Sequence, residues 1–372
     1  MTPKVDTERK SYGVYVHIPF CRSKCAYCAF VSTPRLDMQR AYIDALVSEI
    51  SKSESAGANV DTVYIGGGTP SCLFRGALAE IFSALRDRFD LSACQEITVE
   101  ANPESCDRDF VDECVACGVN RVSIGLQSSD DRVLRKVGRI HDVNRFKTAC
   151  VTLLSNGITN ISSDLILGLP GQTVNDVENA LSIMREYCSH ISVYALTVEE
   201  GTPLYDDGYS PDDDFVAELY DRAVVILRSF GYERYEVSNF ALPNKQSAHN
   251  KKYWACLPYI GFGAAAHGYD GYAVRYAHTD DIERYISDQT AHKLELTAKD
   301  MYNEYVMLAL RTENGIDLER FERRFGYDFY NQNARKIDAS AMNGYLVKEP
   351  GRIRISADKM FVMNGIIEDL MQ

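Results

Sequence analysis

The chain has a single tryptophan, Trp254, and no apolar run of about 18 residues, the length needed to cross a bilayer as a helix. No membrane span is therefore expected. Its first ten residues, MTPKVDTERK, lack the apolar core of a secretory signal, so a cytoplasmic protein is expected. Basic excess is also missing. Asp and Glu number 53 against 40 Lys and Arg, a formal charge of −13. Nucleic-acid binding needs a basic face to meet phosphates, so no such partner is expected. Low-complexity tracts and long internal repeats are absent. The eleven cysteines have no export context to oxidise them and should be free thiols.

What is present is a regular alternation. Short β-rich runs fall at residues 12–18, 62–65, 96–100, 121–126, 160–167 and 191–197. Between them lie apolar stripes at helical spacing, such as Tyr42, Leu46 and Ile50, or Val177, Leu181 and Met184. Six strand–helix units in series predict an α/β fold, a partial (β/α)6 barrel over residues 1–235 with helices outside. Residues 236–294 read as a connecting region. Its stretch 249–267, rich in Gly, Ala and aromatics, is expected to be an ordered loop. Residues 295–372 read as helices at 302–310, 318–325 and 329–342, a hairpin at 345–355 turning on Pro350-Gly351, and a last helix. That pattern predicts a smaller α+β, winged-helix-like domain. DNA contact is the usual work of such a module, but the acidity of this chain favours a structural or lid role.

Cys21-Arg-Ser-Lys-Cys25-Ala-Tyr-Cys28 places three thiols in one loop just after the first strand. Thiolates are the soft ligands that iron–sulfur clusters use. Three of them on a [4Fe–4S] cluster leave one iron open, and S-adenosylmethionine (SAM) can fill that position through its amine and carboxylate. Reduction of its sulfonium then breaks an S–C bond; the hard chemistry is the cofactor's and positioning is the protein's. The competing readings are a zinc site or free thiols. Zinc prefers four ligands and CxxC pairs, and His17 is poorly placed as a fourth. Cys114-Val-Ala-Cys117 lies in a predicted helix and reads as packing, as do Cys72, Cys94, Cys106, Cys150, Cys188 and Cys256.

Candidate ligand contacts cluster at strand ends, where barrels keep their working residues. Gly66-Gly67-Gly68-Thr69 follows the second strand and would let backbone approach a ligand closely. Glu100 ends the third, Gln127 the fourth, Asp164 lies on the fifth, and Arg139 follows Gln127. Each of these could equally be an ordinary strand-end polar residue.

Together these residues resemble the oxygen-independent coproporphyrinogen III dehydrogenase family of radical SAM proteins. The likeness runs from Tyr15-Val-His-Ile-Pro-Phe-Cys21 through Gly67-Gly68-Thr69-Pro70, Glu100-Ala-Asn-Pro103, Gly125-Leu-Gln127-Ser128 and Asp164-Leu-Ile-Leu-Gly-Leu-Pro170-Gly171 into the C-terminal module. It implies a cluster on Cys21, Cys25 and Cys28, and a first SAM at Tyr15, Gly67, Gly68, Thr69 and Glu100. A second SAM in the dehydrogenase is held by positions similar to Tyr27, Gln127, Arg139 and Asp164.

Two departures separate this chain from the dehydrogenases. Phe30 stands where they carry a fourth cysteine, and only fourteen residues precede Tyr15 where they have a longer segment. Both features resemble instead the HemW-type branch of haem chaperones, as does His249-Asn250-Lys-Lys-Tyr253-Trp254, an HNxxYW motif. The resemblance implies haem as ligand with His249 on its iron, haem-accepting proteins and a one-electron donor as partners, and transient membrane contact only through acceptors. Neutral imidazole suits haem iron, and Tyr253 and Trp254 offer flat apolar surface. The residues alone also fit a packed loop with a satisfied histidine. True coproporphyrinogen dehydrogenase activity is the alternative function.

Overall fold

A computed structural model describes residues 11–372. Its centre is six parallel strands adjacent in chain order: β1 (Tyr12–Ile18), β2 (Val60–Gly67), β3 (Glu96–Ala101), β4 (Arg121–Gln127), β5 (Asn160–Leu167) and β6 (His190–Ala195). The crossovers between them carry α1 (Gln39–Lys52), α2 (Ala77–Arg88), α3 (Arg108–Cys117), α4 (Asp131–Lys136) with α5 (Val143–Ser155), and α6 (Val174–Tyr187). After β6 come α7 (Pro203–Asp206) and α8 (Asp213–Ser229). Local chemistry sets the helix starts. Asp107, Asp142 and Asp212 cap α3, α5 and α8 with side-chain oxygens, and Thr173 with Asp176 closes a capping box on α6.

Alternation along the strands separates two faces. Val14, Val16, Ile18, Val63, Ile65, Val122, Ile124, Ile191 and Val193 are buried in one core with the helices. The other face is polar, and strand register lines it up in rows. Tyr15 lies beside Tyr64, Tyr64 beside Thr98, and Thr98 beside Arg121. Glu100 lies beside Ser123, Ser123 beside Ser162, and Ser162 beside His190. Gly125, Asp164 and Ser192 make a third row. A lumen lined this way is built to hold polar groups rather than to pack as a dry core.

The sheet continues past the six units: β7 (Glu233–Arg234), β8 (Asn239–Ala241), α9 (Ala248–Trp254), β9 (Tyr259–Phe262), β10 (His267–Tyr269), β11 (Val274–Ala277), α10 (Ile282–Ser287) and β12 (His292–Glu295). Its full order is β12-β11-β10-β9-β1-β2-β3-β4-β5-β6-β8-β7. The expected loop over 249–267 is thus a helix and a strand. β9 pairs parallel with β1, Gly13 to Tyr259 through Val16 to Phe262. A Cβ at Gly261 would sit 2.0 Å from the His267 carbonyl oxygen, so the glycine that made this stretch look loop-like is required by close backbone packing.

The C-terminal module consists of α11 (Ala298–Leu310), β13 (Ile316–Asp317), α12 (Leu318–Phe325), α13 (Phe329–Met342), β14 (Leu346–Glu349), β15 (Arg352–Ile355) and α14 (Met363–Leu370). Its sheet order is β13-β15-β14. Tyr302, Phe321, Phe325 and Phe329 fill its core, which also takes in Cys256 and Tyr269 from the large sheet's extension. Backbone bonds Val237 N–H to Arg311 O (3.0 Å) and Glu313 N–H to Tyr235 O (3.1 Å) join it to the strands after β6. Among the described residues no helix is long and apolar enough to cross a membrane.

Candidate functional site

The cysteine loop follows β1 and is pinned at several points. Cys21 N–H donates to Thr33 O (3.0 Å) and Thr33 N–H to Pro19 O (2.8 Å). Ala26 N–H donates to Val137 O (2.9 Å), and Leu204 N–H to Ala26 O (3.0 Å). His17, buried on β1, holds the far side of the loop. Its Nε2 lies 3.0 Å from Val31 O, so Nε2 carries the proton and Nδ1 accepts from Tyr15 OH at 2.9 Å. Both nitrogens are committed, which leaves His17 no role as a metal ligand. Its ring also explains Gly67, at φ +109°: a Cβ there would lie 2.3 Å from His17 Cε1.

A continuous polar chain connects two of the cysteines through the ends of β2, β3 and β4. Thr69 Oγ1 donates to Cys21 Sγ (3.3 Å) and accepts from Asn102 Nδ2 (3.0 Å). Arg139 donates through Nη2 to Asn102 Oδ1 (2.9 Å) and to Gly125 O (3.1 Å), and through Nη1 to Cys25 Sγ (3.7 Å). Tyr27 lies against Cys25 and Arg139; burial drives its phenol upward and Arg139 opposes the shift. Asn102, which sequence reasoning left as part of a motif, is the junction of this network.

Glu100 accepts from Tyr64 OH (2.6 Å) and Gly67 N–H (2.9 Å). Glu100, Tyr15 and Asp164 are only half-buried because they keep surface toward the lumen, yet burial dominates and raises the pKa of each. Gln127 is the most constrained of the set. It adopts φ +69°, a left-handed conformation unusual for glutamine, at a bulge in β4, and its buried Oε1 has no partner among the described residues. Arg139 Nε is likewise unpartnered. Buried polar atoms left open beside a pinned thiol loop are what a polar cofactor would satisfy.

Cys21, Cys25 and Cys28 are free and half-buried, and each of Cys21 and Cys28 lies within electrostatic reach of both other thiols. Burial raises the Cys21 and Cys28 thiols, so iron must displace their protons on binding. Among the described residues no three His, Cys, Asp or Glu side chains already stand at metal-ligating geometry. The donor set still fits a cluster: three soft ligands on one loop, with Phe30, 68% exposed, where a fourth could have stood. When bound, such a cluster supplies one-electron reduction of a sulfonium; the protein's own part is to hold and orient.

His249, the expected haem ligand, lies elsewhere. It sits in α9, beneath the starts of the strands, at the end opposite the cysteine loop. Glu96 at the start of β3 anchors α9 through Ala248 N–H (2.8 Å) and His249 N–H (3.0 Å), and Lys252 pairs with Asp61 at 2.8 Å. The His249 ring is fully buried, with Nδ1 2.9 Å from Thr62 Oγ1 and Nε2 2.8 Å from Tyr253 OH. Burial lowers its pKa to about 3. In this structure both ring nitrogens are hydrogen-bonded and the imidazole is neutral.

An open parallel barrel with a polar lumen and three thiols after its first strand defines the radical SAM class. Residues 15–184 match the Radical SAM superfamily and residues 296–358 the HemN C-terminal domain. Proteins named heme chaperone HemW are similar along most of their length. That of Lactococcus lactis is 32% identical over 98% of both chains, and that of Bacillus subtilis 34% identical over 84% of this chain and 87% of its own. A mitochondrial radical S-adenosyl methionine domain-containing protein 1 of Mus musculus is 32% identical over 99% of this chain and 89% of its own. The solved structure of coproporphyrinogen III oxidase (HemN) from Escherichia coli shares the fold, with a TM-score of 0.84 at 22% identity over 99% of this chain and 92% of that one. The chain belongs to the HemW family of radical SAM proteins.

Proposed function

We propose that this protein is a haem chaperone, which binds haem and delivers it to haem-requiring proteins. The observation that carries this reading is the end-to-end similarity to relatives named heme chaperones, in a chain whose cysteine loop has Phe30 in place of a fourth cysteine. Cys21, Cys25 and Cys28 hold the cluster in this reading. Tyr15, Gly67, Gly68, Thr69 and Glu100 hold one SAM in this reading, and Tyr27, Gln127, Arg139 and Asp164 are the residues that would hold a second. A one-electron donor and a haem acceptor are the implied protein partners, the latter accounting for any membrane contact.

The test pairs two assays on anaerobically reconstituted protein. Haem-loaded protein should transfer haem to an apo-haemoprotein. The same preparation, given coproporphyrinogen III, SAM and a reductant, should yield no decarboxylated product. Multiple-turnover decarboxylation would replace the chaperone reading with the dehydrogenase one.

A further inference from the structure

Arg121, at the start of β4, is the largest fully buried side chain among the described residues, 2% exposed, and faces the lumen beside Thr98. Its Nε is a buried donor without a partner, the neighbouring Thr98 Oγ1 has none either, and among the described residues no ion pair includes the Arg121 guanidinium. Burying a charge is costly unless a carboxylate or a full set of acceptors offsets it, so a side chain serving stability alone would be apolar here. The strand opens a path above it. The next lumen-facing residues of β4 are Ser123 and Gly125, with Ser162 beside Ser123 on β5, all too small to fill the space over the guanidinium. Glu100 stands level with Ser123 on the β3 side, and Asp164 level with Gly125 on the β5 side. Two carboxylates therefore flank the strand that carries one unpaired cation.

We propose that Arg121 is a positioning residue for SAM: from the lumen floor it supplies the shared countercharge that keeps Glu100 and Asp164 ionised and able to hold the cationic groups of SAM. The inference rests on the SAM reading of those two carboxylates above. Burial pushes both carboxyls up, and Arg121 opposes the rise at each; Asp164 raises Glu100 further, and Arg139 also opposes the rise at Asp164. Tyr15, Tyr64 and Tyr194 face the same space and stay neutral, because burial raises their phenols. Near Arg121, burial likewise keeps Tyr235, His190 and His249 neutral. Glu96 is engaged by the amides that start α9, and Glu236, raised by burial to about 7, lies by Tyr194 and Tyr235. Arg121 is the cation that acts on both SAM carboxylates.

SAM binding to the full-length, cluster-loaded protein, measured by equilibrium dialysis from about pH 6 to about pH 9, tests this in Arg121→Gln, Arg121→Met and Arg121→Lys. At neutral pH the two uncharged variants should bind SAM roughly tenfold more weakly, the share of one contact between a carboxylate and a cation. The gap should close as pH rises and the carboxyls ionise unaided. Arg121→Lys, which keeps the charge, should follow the wild-type profile. A second readout needs no ligand: the infrared band of protonated carboxyls should persist to higher pH in the uncharged variants than in wild type, with Glu236 titrating alike in all. Uncharged variants whose SAM profiles run parallel to wild type, or whose infrared titration is unchanged, would overturn this proposal alone. So would failure of both uncharged variants to fold, which would make Arg121 a structural residue. A wild-type protein that takes up no SAM overturns the SAM reading and this proposal with it.

Discussion

Replacing His249 by alanine should cost stability rather than iron. The substitution deletes two buried hydrogen bonds and strands Thr62 Oγ1 and Tyr253 OH, at about 1–3 kcal/mol for each hydroxyl left without its partner. Loss of the ring's T-shaped contact with Tyr253 and its tilted contact with Tyr64 adds to this, and a total of about 3–5 kcal/mol follows. Trp254, on the same helix, reports the transition by its fluorescence during urea unfolding. The effect carries a pH signature. The folded pKa of His249 is lowered to about 3 against 6.5 for the ordinary group, so the unfolded chain binds the proton first. Its contribution is complete above about pH 6.5 and is lost as pH falls toward 3, by about 1.4 kcal/mol per pH unit. His249→Gln cannot titrate, so the stability gap between wild type and this variant should narrow by a few kcal/mol, on the order of 2–3, between pH 7 and pH 4.5. Should His249→Ala keep the wild-type urea midpoint and lose haem binding, the imidazole is an accessible ligand and the reasoning fails.

Gly67→Ala would push a Cβ into the His17 ring at a backbone angle that disfavours any side chain. It should lower the unfolding midpoint and the iron bound after reconstitution, both measurable on one preparation. Arg139→Lys keeps the charge but cannot reach Asn102, Gly125 O and Cys25 at once. SAM affinity by equilibrium dialysis should fall roughly tenfold, with iron content near wild type. Cys114→Ala, in contrast, should leave iron content unchanged, because Cys114 is a fully buried side chain in the helix–sheet core, with burial raising its thiol well above the usual range.

Much of this was legible in the chain. The alternation at residues 12–18 and 160–167 gives β1 and β5 their bounds, and Asp317 and Asp328 cap α12 and α13 where the apolar stripes begin. The cysteine trio stands out by its spacing, while the Gly67-Gly68-Thr69 turn gains a role only through its resemblance to a family motif. What escaped depends on partners far away in sequence. β9 is a strand because β1 offers it an edge, and α9 forms where Glu96, more than a hundred residues earlier, binds its first amides. Spacing likewise cannot separate an iron ligand from an imidazole held by Thr62 and Tyr253. The left-handed backbone of Gln127 has no local signature, since glutamine does not favour it; the bulge and its neighbours impose it.

Everything proposed for this protein depends on three N-terminal thiolates holding a four-iron cluster with one position open to SAM. Anaerobic reconstitution followed by metal analysis and electron paramagnetic resonance of the reduced protein tests it most directly. The reconstituted protein should carry about four irons per chain, give a signal that changes when SAM is added, and lose both in Cys25→Ser. Zinc in place of iron, or a cluster whose signal ignores SAM, would contradict it.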